Sequence, residues 1–164
     1  MKKVKISVLF DVLYGTNLEL VNLDQCGSSD SDAIYFVSRT ESNNGVSAVV
    51  RKVIDIIPNP GHCLSVAGGG SVLSTFYQPL PFYSGRDLYI LKPKKTMDIT
   101  EMLFYAYCIR LNKYKYNYGR QANKTLKDIL IPAKIPADFR GSEVNIFQLF
   151  DRAIRPQFSK SSAL

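Results

Sequence analysis

Residues 112–124 read NKYKYNYGRQANK, with three tyrosines, three lysines, one arginine and no acid. Lys113, Lys115, Arg120, Lys124 and nearby Lys127 are residue types that neutralise phosphates, and such contacts make affinity strongly salt-dependent. Tyr116, Asn117, Tyr118, Gln121 and Asn123 can hydrogen-bond to a sugar–phosphate backbone or to base edges. Arg, Asn and Gln also have the bidentate geometry that suits guanine and adenine in the major groove. A structural reading stands beside this one. In a strand, Lys113, Lys115 and Asn117 share one face, and Tyr114, Tyr116 and Tyr118 the other. The tyrosines then pack inward and the lysines are solvated, with the basic face still pointing out.

The rest of the chain bears on the choice. Its 164 residues carry a formal net charge of +7, with pI about 9.3. Residues 1–84 hold six basic and seven acidic side chains, residues 85–128 ten and four, and residues 129–164 five and three. Positive charge is therefore concentrated mid-chain, beginning at LKPKKT (91–96) and running through the stretch above. A concentrated basic segment points to nucleic acid more than a diffuse charge does, although a net charge of this size also serves solubility.

Enzyme signatures are sparse. Cys26, Cys63 and Cys108 are odd in number and widely spaced, which supports neither a zinc site nor a disulfide framework. The single histidine, His62, reads as a strand residue rather than a catalytic one. The run Gly68-Gly69-Gly70-Ser71 lacks the Lys-Ser/Thr that closes a phosphate-binding P-loop. It reads as a hairpin or bulge where backbone approaches something closely, a phosphate among the candidates. No glycine motif for a methyl donor is visible, and no cofactor is expected. The N-terminus has no cleavage signature and no stretch approaches a membrane span, so a cytoplasmic protein without a membrane partner is expected.

The elements that must position these residues read as follows. An extended piece opens the chain, and Ser7 is placed to cap a short helix ending before Gly15. AIYFVSRT (33–40) is rich in β-formers and reads as a strand. Asn43-Asn44-Gly45 is a turn, because Asn and Gly tolerate positive φ. HCLSVAGGGSVLSTFYQ reads as two strands around the glycines, and RDLYILKP as another strand halted by Pro93. Asp98 with Glu101 forms a capping box for a helix whose apolar residues, Phe104, Tyr105 and Tyr107 among them, lie almost all round and predict burial on most faces. ANKTLKDIL predicts a short helix, LIPAKIP an extended segment, and SEVNIFQLFDRAI (142–154) a helix before a frayed tail. The sum is a single α+β domain with a twisted, mainly antiparallel β core, one buried helix and short flanking helices.

Three stretches together resemble a known family. LFDVLYGTNLEL followed by IYFVSRTESNNGV is similar to the opening of a target recognition domain in the specificity subunit of type I restriction–modification systems. LSVAGGGSVLSTFYQPLPFYSGRDLYILKPK resembles the middle of that domain, and LFYAYCIRLNKYKYNYGRQANKTLKDILIPAKIP its end. The likeness covers most of residues 9–136. It implies a domain that reads part of a DNA target from the grooves for an adenine methyltransferase and, in complete systems, a nuclease. It does not imply catalysis by this chain.

The resemblance places a recognition domain over residues 1–140, with residues 141–164 as a C-terminal helix and tail. Base-contacting residues of the family vary with the target, so the transfer is regional. It covers Arg39, Asn43 and Asn44 in one turn, Gly69 and Ser71 in a second, and Lys113, Lys115, Asn117, Tyr118, Arg120, Gln121, Asn123 and Lys124 in the basic segment. The tyrosines there are expected to build the domain while Lys, Arg and Asn face DNA. Full specificity subunits hold two such domains joined by long helices. One domain implies a half-subunit that pairs with itself or with a second half, a fragment, or a standalone relative. Double-stranded DNA and a DNA adenine methyltransferase subunit are the expected partners. A protein-interaction module that binds or blocks a methyltransferase without reading DNA is the alternative.

Overall fold

A computed structural model of the chain describes residues 1–116 and 121–140. The expectations for Asn117, Tyr118 and Arg120, and for the helix at 142–154, fall outside the described residues. Among the described residues nine strands and two α-helices follow in the order β1 (Lys3–Lys5), α1 (Ile6–Leu9), β2 (Phe10–Tyr14), β3 (Ala33–Val37), β4 (Val46–Arg51), β5 (Cys63–Ala67), β6 (Thr75–Gln78), β7 (Phe82–Ser84), β8 (Leu88–Pro93), α2 (Ile99–Arg110) and β9 (Leu130–Pro132). Strands β2-β8-β5-β6 form an antiparallel sheet. A second sheet, β4-β3-β7, is antiparallel between β3 and β4 and parallel between β3 and β7. The short antiparallel pair β1-β9 ties the N-terminus to residues 130–132.

The two-residue period of a strand explains the layering. Along β5, Leu64 and Val66 face α2, whereas Cys63 and Ala67 face the three-stranded sheet. Along β8, Leu91 belongs to the helix side, and Leu88 and Ile90 to the other. The four-stranded sheet is thus covered on both faces, and every residue of β5 is buried. Helix α2 starts as its sequence predicts. Asp98 accepts from the Glu101 amide at 2.8 Å while Glu101 accepts from the Asp98 amide at 3.0 Å. The Asn43–Gly45 turn is also as read, with φ of 52°, 55° and 79° in sequence order.

Several local readings are corrected. Ser7 lies inside α1, which follows Lys5 without a side-chain cap and ends after Leu9. From Phe10 the chain is strand, because its pairing with β8 outweighs the local helical pattern. His62 sits in the turn before β5 with φ 51° rather than in a strand. Phe104 and Tyr105 are core, but Tyr107 is 53% exposed, since Leu103, Tyr107 and Arg110 fall on one outward stripe of α2. Lys113–Lys115 is a 3₁₀ turn, not a strand. Two-residue alternation is therefore lost, leaving Tyr114 73% exposed while Tyr116 packs on the core. ANKTLKDIL yields only a 3₁₀ turn at Leu126–Asp128.

Candidate nucleic-acid interface

Register aligns one end of the four-stranded sheet. Tyr14 pairs with Tyr89, Tyr89 with Val66, and Val66 with Thr75. The loops leaving this row are the segment after Tyr14, the 68–74 turn and the residues just before β8. Arg39, just past β3, arrives over the same turn, as its Cβ and carbonyl flank Gly70.

The turn is a floor of bare backbone. The Gly68 amide donates to the Asp87 carbonyl at 2.8 Å, and the Ala122 amide donates to the Gly68 carbonyl at 2.9 Å. A Cβ at Gly68 would collide with Asn123 Oδ1 and lie 2.7 Å from the Tyr89 ring. A Cβ at Gly69 would lie 3.1 Å from Arg39 Nη1, 3.5 Å from Asp87 Oδ2 and 3.7 Å from Gln121 Nε2. Gly70 has φ 62°, a left-handed conformation that favours glycine.

Electrostatics at this end centre on an ion pair. Arg39 Nη1 donates to Asp87 Oδ2 at 2.9 Å, with the two side chains 31% and 24% exposed. The Asp87 amide donates to the Tyr14 hydroxyl at 2.8 Å, and Asp87 itself has φ 52°. The Tyr14 and Tyr89 rings meet edge to face at 5.2 Å. Burial pushes the Tyr89 phenol above its ordinary range, and its neighbours Tyr14 and Asp87 add to the shift. Asn123 Nδ2 donates to Gln121 Oε1 at 2.8 Å. Asn123 Oδ1 is buried with no donor among the described residues.

Of the site residues expected from sequence, Arg39, Gly69, Gln121 and Asn123 come together here. Ser71 lies in the same turn, and Lys124 is exposed with no hydrogen bond or ion pair to a described residue. Lys113 is ion-paired with Glu41, which links the basic segment to the loop before Asn43. Lys115 is held by Asn112 Oδ1 at 2.7 Å. Asn43 is exposed, whereas Asn44 serves the fold. Its Nδ2 donates to the Tyr77 carbonyl at 2.9 Å, and its own carbonyl accepts from Gln78 Nε2 at 2.9 Å.

The basic run at 91–96 belongs elsewhere. It lies at the far end of β8, roughly 20 Å away at the rise of a six-residue strand. There Lys94 Nζ donates to the Ser7 carbonyl at 2.7 Å and stands 3.8 Å from Asp11. The mid-chain charge is therefore split between two ends of the sheet rather than laid along one surface. Sequence reading missed Asp87, Tyr14 and Tyr89. Their only signal was an acid just ahead of a strand, and no spacing rule links that acid to Arg39.

His62 has both ring nitrogens engaged. Nε2 lies 2.8 Å from the Met97 carbonyl, so it carries the proton and donates. Nδ1 then accepts from the Tyr77 hydroxyl at 2.9 Å. Among the described residues no group of three or more His, Cys, Asp or Glu is placed to hold a metal ion. No helix among them is long and apolar enough to cross a membrane.

No family model and no curated protein matches the sequence. Solved structures do match the fold. The HsdS subunit from Thermoanaerobacter tengcongensis superposes with TM-score 0.57 at 15% identity, over 96% of this chain and 38% of that one. The type I restriction–modification system S subunit from M. genitalium gives 0.59 at 16% identity, over 97% and 41%. A chain from a type I R-M system, described for its complex assembly and conformational transition, gives 0.62 at 16% identity, over 92% and 37%. The chain thus spans 37–41% of the length of these proteins. Its architecture, mainly antiparallel sheets with one principal helix, is the fold of a target recognition domain as type I restriction–modification S subunits carry it.

Proposed function

We propose that this chain binds double-stranded DNA sequence-specifically, as the target-recognition component of a restriction–modification or related DNA-methylation system. The observation that carries the reading is the meeting of Arg39, Gly69, Gln121 and Asn123 over one backbone floor, within this fold. A floor without side chains lets Arg39, Gln121 and Asn123 seat closely around one turn. Amide groups such as those of Gln121 and Asn123 suit base edges, and a cation such as Lys124, unpaired among the described residues, suits phosphate. Asn43, Ser71, Lys113, Lys115, Asn117, Tyr118 and Arg120 complete the proposed surface by their place in the sequence. Residues 1–140 form the reader. Chemistry is assigned to a cytoplasmic partner, an adenine methyltransferase subunit and, in a phage-defence system, a nuclease. A second copy of the chain or a second half-subunit would read the other part of the target. The test is selection from a random duplex pool at near-physiological salt. A short enriched motif supports the reading, and salt-sensitive retention without enrichment refutes it.

A specific observation favours a second reading, docking onto a methyltransferase without reading DNA. Val21, Ile54 and Ile57 are 86%, 100% and 86% exposed, all in the half of the chain that carries no excess of positive charge. A stable complex that excludes DNA would establish that reading.

A further inference from the structure

Arg39, like Arg86 and Lys113, is held by a carboxylate, but its pair is the least exposed of the three, and its guanidinium is still partly open. Its Nη1 is fixed by Asp87, while Nε and Nη2 make no hydrogen bond to a described residue. Asp87 is fixed in turn, through its amide on the Tyr14 hydroxyl at 2.8 Å and its carbonyl on the Gly68 amide at 2.8 Å. Glycines 69 and 70 lie directly beneath the arginine side chain.

That arrangement discriminates between two tasks. A phosphate is attracted by uncompensated positive charge, but beside Arg39 it would also meet the Asp87 carboxylate, which repels it. A neutral acceptor edge has no such penalty, and what it needs is a planar fork held in one orientation. Guanine offers that edge as O6 and N7 in the major groove.

We propose that Arg39 is a guanine-reading residue of this interface and that Asp87 is its positioning residue. The inference rests on the DNA-reading proposal above and deepens it. Lys124, with no acid partner among the described residues, takes the complementary role of a phosphate contact.

The experiment compares the base preferences of the full chain and two variants by selection from a random duplex pool, with affinity for the selected site followed across a salt series. Arg39→Lys keeps the charge and removes the planar fork. Asp87→Asn removes the carboxylate and keeps a residue type that tolerates the left-handed backbone at 87. The expected result is one guanine position in the wild-type motif whose preference falls on the order of ten- to a hundredfold in Arg39→Lys, with other positions unchanged. Asp87→Asn should weaken the same position and steepen the salt dependence by about one charge, because Arg39 is then uncompensated. A purely structural Asp87 would lower stability and affinity without touching one base position.

A wild-type motif whose guanines are unaffected in both variants overturns the inference and leaves DNA reading standing. So does a uniform loss of affinity across all positions. No enriched motif for the wild-type chain overturns both.

Discussion

The Ala122 amide donates to the Gly68 carbonyl at 2.9 Å, which fastens the basic segment to the glycine turn through backbone alone. On its other side Gly68 donates to Asp87 at 2.8 Å. Three loops far apart in sequence thus share one residue's peptide groups. Their relative positions do not depend on which side chains they display, so side chains can vary on a fixed frame. A recognition surface that must change its target without changing its fold needs such a frame.

Gly68 and Gly69 should therefore fail in different ways. A Cβ at Gly68 meets Asn123 and the Tyr89 ring, both tightly placed, so Gly68→Ala should destabilise by about 1–3 kcal/mol. A Cβ at Gly69 meets mainly the flexible end of Arg39, which can give by a few tenths of an ångström. Gly69→Ala should change stability by no more than about 0.5 kcal/mol, yet displace the guanidinium and weaken DNA binding. Urea titrations of both variants, read beside duplex affinity, check the contrast. Equal losses of stability would contradict it.

Asn123 presents an acceptor that no described residue satisfies. Its Oδ1 is buried with no donor among the described residues, and a buried acceptor left unpaired costs roughly 1–3 kcal/mol. Asn123→Ala removes that acceptor and, among the described residues, loses only an exposed hydrogen bond to Gln121. Stability should hold or rise by up to about 1 kcal/mol while DNA affinity falls. A clear loss of stability would make Asn123 a structural residue instead.

Much of this frame was legible in the sequence because its signals were local. The Asp98–Glu101 box sits at the start of α2, and Asn43-Asn44-Gly45 takes the positive φ its residue types allow. The glycine run does join two antiparallel strands, β5 and β6. Readings failed where tertiary pairing decided the outcome. Residues 10–14 follow β8 into a sheet, and Tyr114 turns outward because a 3₁₀ turn replaces an alternating strand. The partnership of Arg39 with Asp87 depends on β3 and β8 being brought to a common end. No pattern within a window of residues encodes that. Net charge misled in the same way, since Lys92 and Lys124 both count toward the mid-chain charge but lie toward opposite ends of β8.

The lysines of the basic segment should not be equivalent. Lys124 is unpaired among the described residues, so Lys124→Ala should lower duplex affinity and reduce the salt slope by about one, with thermal stability unchanged. Lys115 holds Asn112 Oδ1, and Asn112 Nδ2 in turn donates to the Cys108 carbonyl at 2.9 Å at the end of α2. Lys115→Ala should therefore cost about 0.5–1.5 kcal/mol of stability and move the salt slope less. Salt-series binding and thermal melts on the two variants separate these effects. Identical salt slopes would refute the distinction.

Thiol ionisation offers a check on the core that is independent of DNA. Burial pushes the Cys63 thiol up to about 12 and raises that of Cys108, and at Cys26 burial and the neighbouring Asp30 outweigh the opposing Arg51. Thiolate is the reacting form, so near pH 8 a disulfide reagent should modify Cys63 and Cys108 only once the protein unfolds. The same shift sets a pH dependence. The unfolded thiol ionises near 9 and the folded Cys63 thiol only near 12, so its contribution to stability is complete below about 9. Above that it declines, because the unfolded chain has released a proton that the folded chain retains. Cys63→Ala should make the fall of stability across this alkaline window shallower by about 1.4 kcal/mol per pH unit. Parallel curves for the two proteins would mean that Cys63 is not enclosed between the two sheets.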